Sequence, residues 1–337
     1  MLRYLSKSIS LLFYAVVICC IIYPVALWVV GQTAFPFQAN GSMIKGPDGK
    51  VVGSRLIAQP FTKDEYFQPR PSSPSYDASA SASSSLAPSN YALRDRVARA
   101  IGPLATYKSG PKAGKPAAPD VEQWFQRDMF DGKAHIVAQW ANLHNSLAQA
   151  WVKGDPTHGA YVDNWTKAHQ ALVAKWIKDN PATPEPKAPD LAVAFFEDFS
   201  AQYPGRFPSP VTHKGADGKE TTVIEPVKEG SDVQSVFFDM WRQEHAEADL
   251  RDVPGDLVTT SASGLDPHIT LQNALFQMDR VAAKWAANTK RGQAVVSKEI
   301  GQILEENSSA PFAGLAGEKF INVLEVNLEL VKRYGKP

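Results

Sequence analysis

Residues Leu11 to Val30 read LLFYAVVICCIIYPVALWVV, without one charged side chain. As a helix, about 20 apolar residues rising ~1.5 Å each cover the ~30 Å hydrocarbon core of a bilayer. Everything after Val30 is therefore expected to be a body tethered to a membrane. Arg3 and Lys7 precede the run, and no Lys or Arg follows it until Lys45. That bias predicts a cytoplasmic N-terminus and a body outside the cytoplasm. The rival reading, a cleaved signal peptide, needs an apolar core of only ~7–15 residues and a small-x-small cleavage site. Here the run is longer, and Gly31-Gln32-Thr33-Ala34-Phe35 offers no clean site. An uncleaved anchor over 1–30 is the expectation. Pro24 is tolerable there because membrane helices absorb kinks when the freed groups find partners. Tyr23 and Trp28 suit the outer interface. The two cysteines, Cys19 and Cys20, are adjacent inside this run. A helix points them in different directions, which disfavours a disulfide, and they have no zinc-site spacing.

The 337 residues carry 35 basic and 35 acidic side chains, a balance that argues against a nucleic-acid partner. The length allows two cores. Trp124, Trp140, Trp151, Trp165, Trp176 and Trp241 crowd the middle, with only Trp28 and Trp285 elsewhere. The middle is therefore expected to be a separate module.

Ser42 to Ile57 reads as a hairpin turning at Gly46-Pro47-Asp48-Gly49. Ser79 to Ser85 has the composition of a flexible linker, as have residues 103–120. Asn90 to Ile101 reads as a short basic helix. Four helical stripes follow: Ile136, Trp140, Leu143, Leu147 and Trp151; Val162, Trp165, His169, Leu172 and Trp176; Leu191, Phe195 and Phe199, with Asp190 as candidate N-cap; and Val233, Val236, Phe237, Met240 and Trp241. Val211 to Val223 suggests a hairpin turning at Asp217-Gly218. After Pro254, Asp256 to Thr260 reads as a strand. Leu271, Leu275, Met278, Val281, Ala282 and Trp285 mark one helix, and Val296, Ile300, Ile303 and Leu304 another. Leu324, Val326, Leu328 and Leu330 alternate with Glu325, Asn327 and Glu329, which favours a closing strand.

Four segments together resemble the C subunit of the Kdp potassium-transporting P-type ATPase. They are Tyr23-Pro24 through Gly31-Gln32 to Phe35-Pro36-Phe37-Gln38-Ala39-Asn40-Gly41-Ser42; Gly53 to Gln59 with Phe61 and then Tyr66 to Ser72; Ala80 to Asn90; and Val258-Thr259-Thr260-Ser261-Ala262-Ser263-Gly264-Leu265-Asp266-Pro267-His268-Ile269-Thr270. The tail Ile321 to Leu328 also fits. These segments run in family order over roughly 10–104 and 251–334. The resemblance implies that Ser79 to Ser85 belongs to the folded domain rather than a linker. The chain departs from the family where Ala58, Ala82 and Ser83 replace usual glycines, and in the block 105–250, where the family has a short connection. Insertion at an exposed loop is cheap, because closure cost grows only logarithmically with length.

Ser261, Asp266 and His268 invite a catalytic-triad reading, but neighbours in sequence rarely supply that geometry, and no Gly-x-Ser-x-Gly elbow surrounds Ser263. A strand-to-helix turn, broken at Asp266-Pro267 and capped by Thr270, is the stronger reading. Ser109-Gly-Pro-Lys112 spells Ser-x-x-Lys inside an apparent linker and has no companion motif. His135 and His144 lie too far apart on one helix to share a metal. Glu244, His245 and Asp249 read as a solvated helix face, and His169 as part of its stripe. Arg70, between Pro69 and Pro71, either contacts a partner subunit or fixes a turn. There is no Walker loop, no glycine-rich phosphate cradle and no Asp-Lys-Thr-Gly phosphorylation motif. No catalytic or metal residue is assigned.

The expected class is α+β: a single N-terminal transmembrane helix (1–30), a mixed outer domain (31–104 and 251–337), and a mostly helical, all-α insertion (105–250). The resemblance implies a non-catalytic accessory subunit of an inner-membrane potassium import complex. Its partners would be the pore-forming potassium-binding subunit, the ATP-hydrolysing subunit and the lipid bilayer. ATP enters by family association only, through a role in raising the catalytic subunit's ATP affinity. The alternative is a membrane-anchored module that binds envelope glycans, on the ground that exposed aromatic rings stack on sugars. Against it, the tryptophans lie on apolar stripes and are expected to fill a core.

Overall fold

The computed structural model describes residues 2–46, 49–215, 218–315 and 317–336. The Leu11–Val30 run lies in one continuous helix, Arg3–Ala34, with no buried residue and a mean hydropathy of 2.5 over its most apolar 18-residue window. It has α geometry over Leu2–Val16 and Tyr23–Ala34, with a π-helical stretch, Val17–Ile22, between them. Pro24 explains the interruption. Its ring crowds the carbonyl four residues back and it donates no hydrogen bond. A wider turn relieves both problems, and the Tyr23 N–H accordingly bonds the Ile18 carbonyl.

The chain divides into two compact units, 1–84 with 254–337, and 85–253. The helix Tyr91–Ile101, capped by the Asn90 side chain, falls in the second. Secondary structure is mixed, as an α+β reading requires.

In the first unit, Met43–Lys45 pairs antiparallel with Val51–Ser54. Pro47 and Asp48, at the tip expected for this hairpin, lie outside the described residues. Leu271–Thr289 and Gln293–Glu306 form a helical pair, turning at Lys290 in the left-handed region. Their facing stripes meet Phe67, Ile269 and Ile321 in a core centred on Trp285, Ile300 and Leu304. His268–Thr270 pairs with Phe320–Asn322. Two strand expectations are corrected here. Asp256 to Thr260 is not a strand but runs into a helical turn, Gly255–Val258. Leu324 to Leu330 belongs to a helix, Val323–Tyr334, started by the Asn322 side chain, which accepts from the Leu324 and Glu325 N–H groups. The same residues satisfy helical spacing through Val323, Val326, Leu330 and Tyr334, and the cap decides for the helix.

Ser79 to Ser85 has no regular structure, yet it is laid down in order. The Ala82 N–H donates to Ser263 O at 3.1 Å, and Ser81 Oγ reaches the same carbonyl at 3.3 Å. Gly264 allows this approach. Its φ is +69°, and a Cβ there would lie 2.2 Å from Pro74 Cδ and 2.8 Å from Ala82 O.

The second unit packs aromatic rings. Trp140 meets Phe196, Phe207 and Phe237 with centroids 5.2, 5.7 and 6.2 Å away. Trp124, Trp140, Trp165 and Trp241 are buried, while Trp151 and Trp176 pack partly buried against the same core. This unit is not purely helical: Phe207–Lys214 and Glu220–Val227 form an antiparallel pair, longer than the hairpin expected there. Gly218 is described, but Asp217 of its expected turn is not. Residues 103–120 are not a linker. Thr106 bridges Pro116, Tyr107 bridges Leu250, and Ala105 and Ala117 are buried. Left-handed Gly110 and Gly114 make this a tight loop, which shares its composition with a linker.

Three of the four helical stripes are each two helices. Ile136–Leu143 and Asn145–Gly154 meet at His144; Pro156–Ala168 and Gln170–Asp179 meet at His169; Ser231–Val236 and Phe238–Glu244 meet at Phe237. The third stripe is the single helix Ala192–Gln202. Asp190 does not cap it; Leu191 holds that position, and Asp190 accepts from the Lys187 N–H. The first two breaks belong to a duplicated pattern. Trp140, His144, Leu147 and Trp151 recur with identical spacing as Trp165, His169, Leu172 and Trp176. Each break histidine donates its N–H to the tryptophan carbonyl one turn back.

Candidate functional site

The segments singled out by resemblance, apart from Ser85 to Asn90, lie in the first unit. The chain from Asp64 to Ser72 leaves a turn at Asp64 and Glu65, runs on outside helix and strand, and is gripped by side chains from two helices. Asn327, 1% exposed, donates from Nδ2 to Phe67 O at 2.9 Å and accepts from the Phe67 N–H at 2.9 Å. Gln277 does the same to Gln68, at 3.1 and 2.8 Å. Trp285 Nε1 donates to Glu65 O at 2.7 Å, and Arg280 reaches the carbonyls of Asp64 and Tyr66. Side-chain amides thus complete the backbone bonding that a neighbouring strand would otherwise supply. Sequence reasoning missed Asn327 and Gln277. The detectable signal was an amide on a core stripe, visible once 323–334 is spaced as a helix.

Arg70 extends from this segment, and its Nη2 donates to Thr260 O at 3.0 Å. Ser72 Oγ bonds Gly264 O, and Tyr76 OH donates to Arg70 O at 2.9 Å. Of the two readings left open for Arg70, these contacts display the turn-fixing one. Asp266 Oδ1 accepts from the His268 N–H at 3.0 Å and lies 2.9 Å from His268 Nδ1. The His268 hydrogen bond holds the Asp266 carboxyl below the usual carboxylate range, against the opposing effect of burial. Ser261 is buried, and among the described residues no hydrogen bond joins it to His268. Thr270 caps the following helix, its hydroxyl accepting from the Asn273 N–H at 3.1 Å. The three candidates therefore share a turn rather than a triad arrangement.

A groove of about 960 Å³ lies in the same unit, between the strand Met43–Lys45, the end of the helix Gln293–Glu306 and one face of the helix Val323–Tyr334. Exposed Phe37 and Met43 line it beside Arg55, Glu325, Glu329 and Lys332. Arg55 pairs with Glu325 at 3.0 Å and Lys332 with Glu329 at 3.2 Å. The mixture of exposed apolar and paired charged groups suits contact with protein.

The other candidates disperse over the second unit. Ser109 bonds Asp249, while Lys112 bonds Asp120, so the Ser-x-x-Lys pair does not face itself. His135 and His144 stand at opposite ends of one short helix. His135 Nδ1 is 3.5 Å from Asp128, and His144 stacks on Tyr91 at 4.2 Å. Burial lowers the His144 pKa. Glu244, His245 and Asp249 do not share a helix face, because the helix ends at Glu244. Glu244 accepts from Trp124 Nε1 and the Asp131 N–H, both at 2.7 Å. His169 stacks on Trp165, on its stripe as expected. Among the described residues no group of three or more His, Cys, Asp and Glu side chains is placed to hold a metal ion.

Comparison with known proteins matches the chain to a family described as K+-transporting ATPase, c chain, over residues 5–121 and 229–332. It is similar to the potassium-transporting ATPase KdpC subunit of Pseudomonas aeruginosa, with 41% identity over 111 residues, covering 33% of this chain and 61% of the relative. The KdpC subunit of Pseudomonas syringae pv. tomato is 46% identical over 107 residues, covering 32% and 56%. That of Pseudomonas entomophila is 45% identical over 97 residues, covering 29% and 52%. The chain thus spans just over half the length of these relatives.

Proposed function

Since this chain belongs to the KdpC family, the c chain of K+-transporting ATPases, we propose that it is an accessory, non-catalytic subunit of an ATP-driven potassium import complex. The observation that carries this is the position of the family match, on both sides of the extra central residues and including the apolar helix. In this reading the helix Arg3–Ala34 spans the inner membrane once, with its N-terminus in the cytoplasm. It packs beside the pore-forming and ATP-hydrolysing subunits. The body lies outside, with the central block 105–250 as an insertion in the family domain. The groove at Phe37, Met43 and Arg55 supports a face for a partner subunit. ATP is on the other side of the membrane, so the family's effect on ATP affinity acts through the membrane helices and not by contact with nucleotide.

The test is growth of the native host at micromolar potassium after deletion of this chain. Growth should fail and return with the full-length protein, and with a variant lacking 105–250 joined by a short linker. Normal growth of the deletion strain, with its other potassium importers removed, contradicts the reading.

A further inference from the structure

The two copies of the duplicated helical pattern differ where it matters for a ligand. Ile136, Gln139 and Leu143 of the first copy correspond to Tyr161, Asn164 and Ala168 of the second. Ile136 is fully buried, whereas Tyr161 is only half-buried; Leu143 and Ala168 are both exposed. A cavity of about 250 Å³, open to solvent on one side, lies between the helices Pro156–Ala168 and Ala192–Gln202. It is lined by Tyr161, Asn164, Trp165, His169, Asp198 and Tyr203, among others. That volume falls just below the roughly 300–1,000 Å³ that encloses drug-sized ligands, and it suits a single saturated ring.

The polar groups of the cavity are built and incompletely used. Asp198 Oδ2 accepts from Trp165 Nε1 and from Gln202 Nε2, both at 2.7 Å, with His169 Nε2 at 3.5 Å. His169 is itself held by its Nδ1, 2.9 Å from Trp165 O, and by stacking on the indole. These contacts fix the carboxylate while leaving Oδ1 without a donor among the described residues. The Asn164 amide, on an exposed residue, and the hydroxyls of Tyr161 and Tyr203 also lack protein partners among them. Burial, reinforced by Tyr203, raises the Tyr161 pKa, so its hydroxyl remains a donor. Tyr203 is 39% exposed and rests on Phe199 at 5.0 Å, which fixes a ring at the mouth.

We propose that this cavity binds one neutral pyranose unit of a saccharide. Apolar C–H faces of a sugar lie on aromatic rings, and its vicinal hydroxyls need donors and acceptors close together. The cavity offers tyrosine rings with a carboxylate oxygen, an amide and two hydroxyls. An organic cation would use the acceptors alone and leave the amide and hydroxyl donors unpaired. The tryptophans are not the platform: Trp165, 8% exposed, closes the floor and orients Asp198. The proposal does not depend on the transport reading, and either stands if the other fails.

The experiment uses the full chain in lipid nanodiscs free of sugar-headed detergent. Isothermal titration is carried out with N-acetylglucosamine trimer, maltotriose and choline chloride. At least one saccharide should saturate, and choline should not. Tyr203→Ala and Asn164→Leu should each weaken that binding at least tenfold with the thermal transition unchanged. Leu172→Ser, outside the cavity, should leave it unaltered. No saturation by either saccharide, saturation by choline instead, or unchanged affinity in Tyr203→Ala would each overturn the proposal.

Discussion

In the 1–84 and 254–337 unit, a segment outside helix and strand is held by side-chain amides. Asn327 and Gln277 bond both backbone groups of Phe67 and Gln68, and Trp285 and Arg280 bond the residues just before them. In the 85–253 unit, position is set by rings, with Trp140 among Phe196, Phe207 and Phe237, and a break histidine tied to each of two tryptophans. The first unit adds directional bonds to its apolar core, around Trp285 and Ile300, to fix this segment. The second is specified by volume. Hydrogen-bonded grips contribute little net energy while made and cost heavily when one partner is lost. Ring packing contributes through area and loses in proportion to the cavity left.

The largest expected effect tests the volume side. Trp140→Ala should cost about 3–5 kcal/mol and expose the amides of 136–143 and 192–202 to hydrogen exchange, leaving those of 271–289 protected. Asn327→Ala should do the reverse. It leaves both backbone groups of Phe67 buried without partners, at about 2–4 kcal/mol, and should deprotect 64–72 first. Asn327→Asp, which keeps the acceptor but not the donor, should recover only part of that loss. Thr270→Ala removes one cap and should lower stability by about 1 kcal/mol, read as a shifted urea midpoint with unchanged slope.

The smallest effect is electrostatic. Hydrogen bonds from Arg291 and then Tyr334 take the Glu299 pKa from an ordinary 4.5 down to about 2. A depressed carboxylate contributes stability that is present above pH 4.5 and lost as pH falls toward 2. Glu299→Gln should flatten that acid-side slope and change little at neutral pH. An unaltered slope would show that the contact is too solvated to matter.

Much of this contrast was legible in the residues. The apolar run, the helices around Trp285 and Ile300, the Thr270 cap and the aromatic middle follow from periodicity and cap chemistry. The closing helix was not legible, because Leu324 to Leu330 satisfies both a two-residue and a helical period, and only the Asn322 cap separates them. The breaks at His144 and His169 escaped because the apolar stripe continues across them without Gly or Pro. The grip of Asn327 on Phe67 joins residues far apart in sequence, and pattern alone says nothing of such pairs. Residues 103–120 failed for another reason: a tight loop and a flexible linker draw on the same residue types.

The central claim is that one lipid-embedded helix holds this domain against larger membrane proteins that move potassium. The direct measurement is gentle detergent extraction of the affinity-tagged chain from native membranes, followed by quantification of co-purifying proteins. The account predicts stoichiometric recovery of a multi-span pore protein and a P-type ATPase, lost when Leu11–Val30 is replaced by a cleavable signal sequence. Recovery of the chain alone from the soluble fraction, trimmed beyond residue 34, would contradict it.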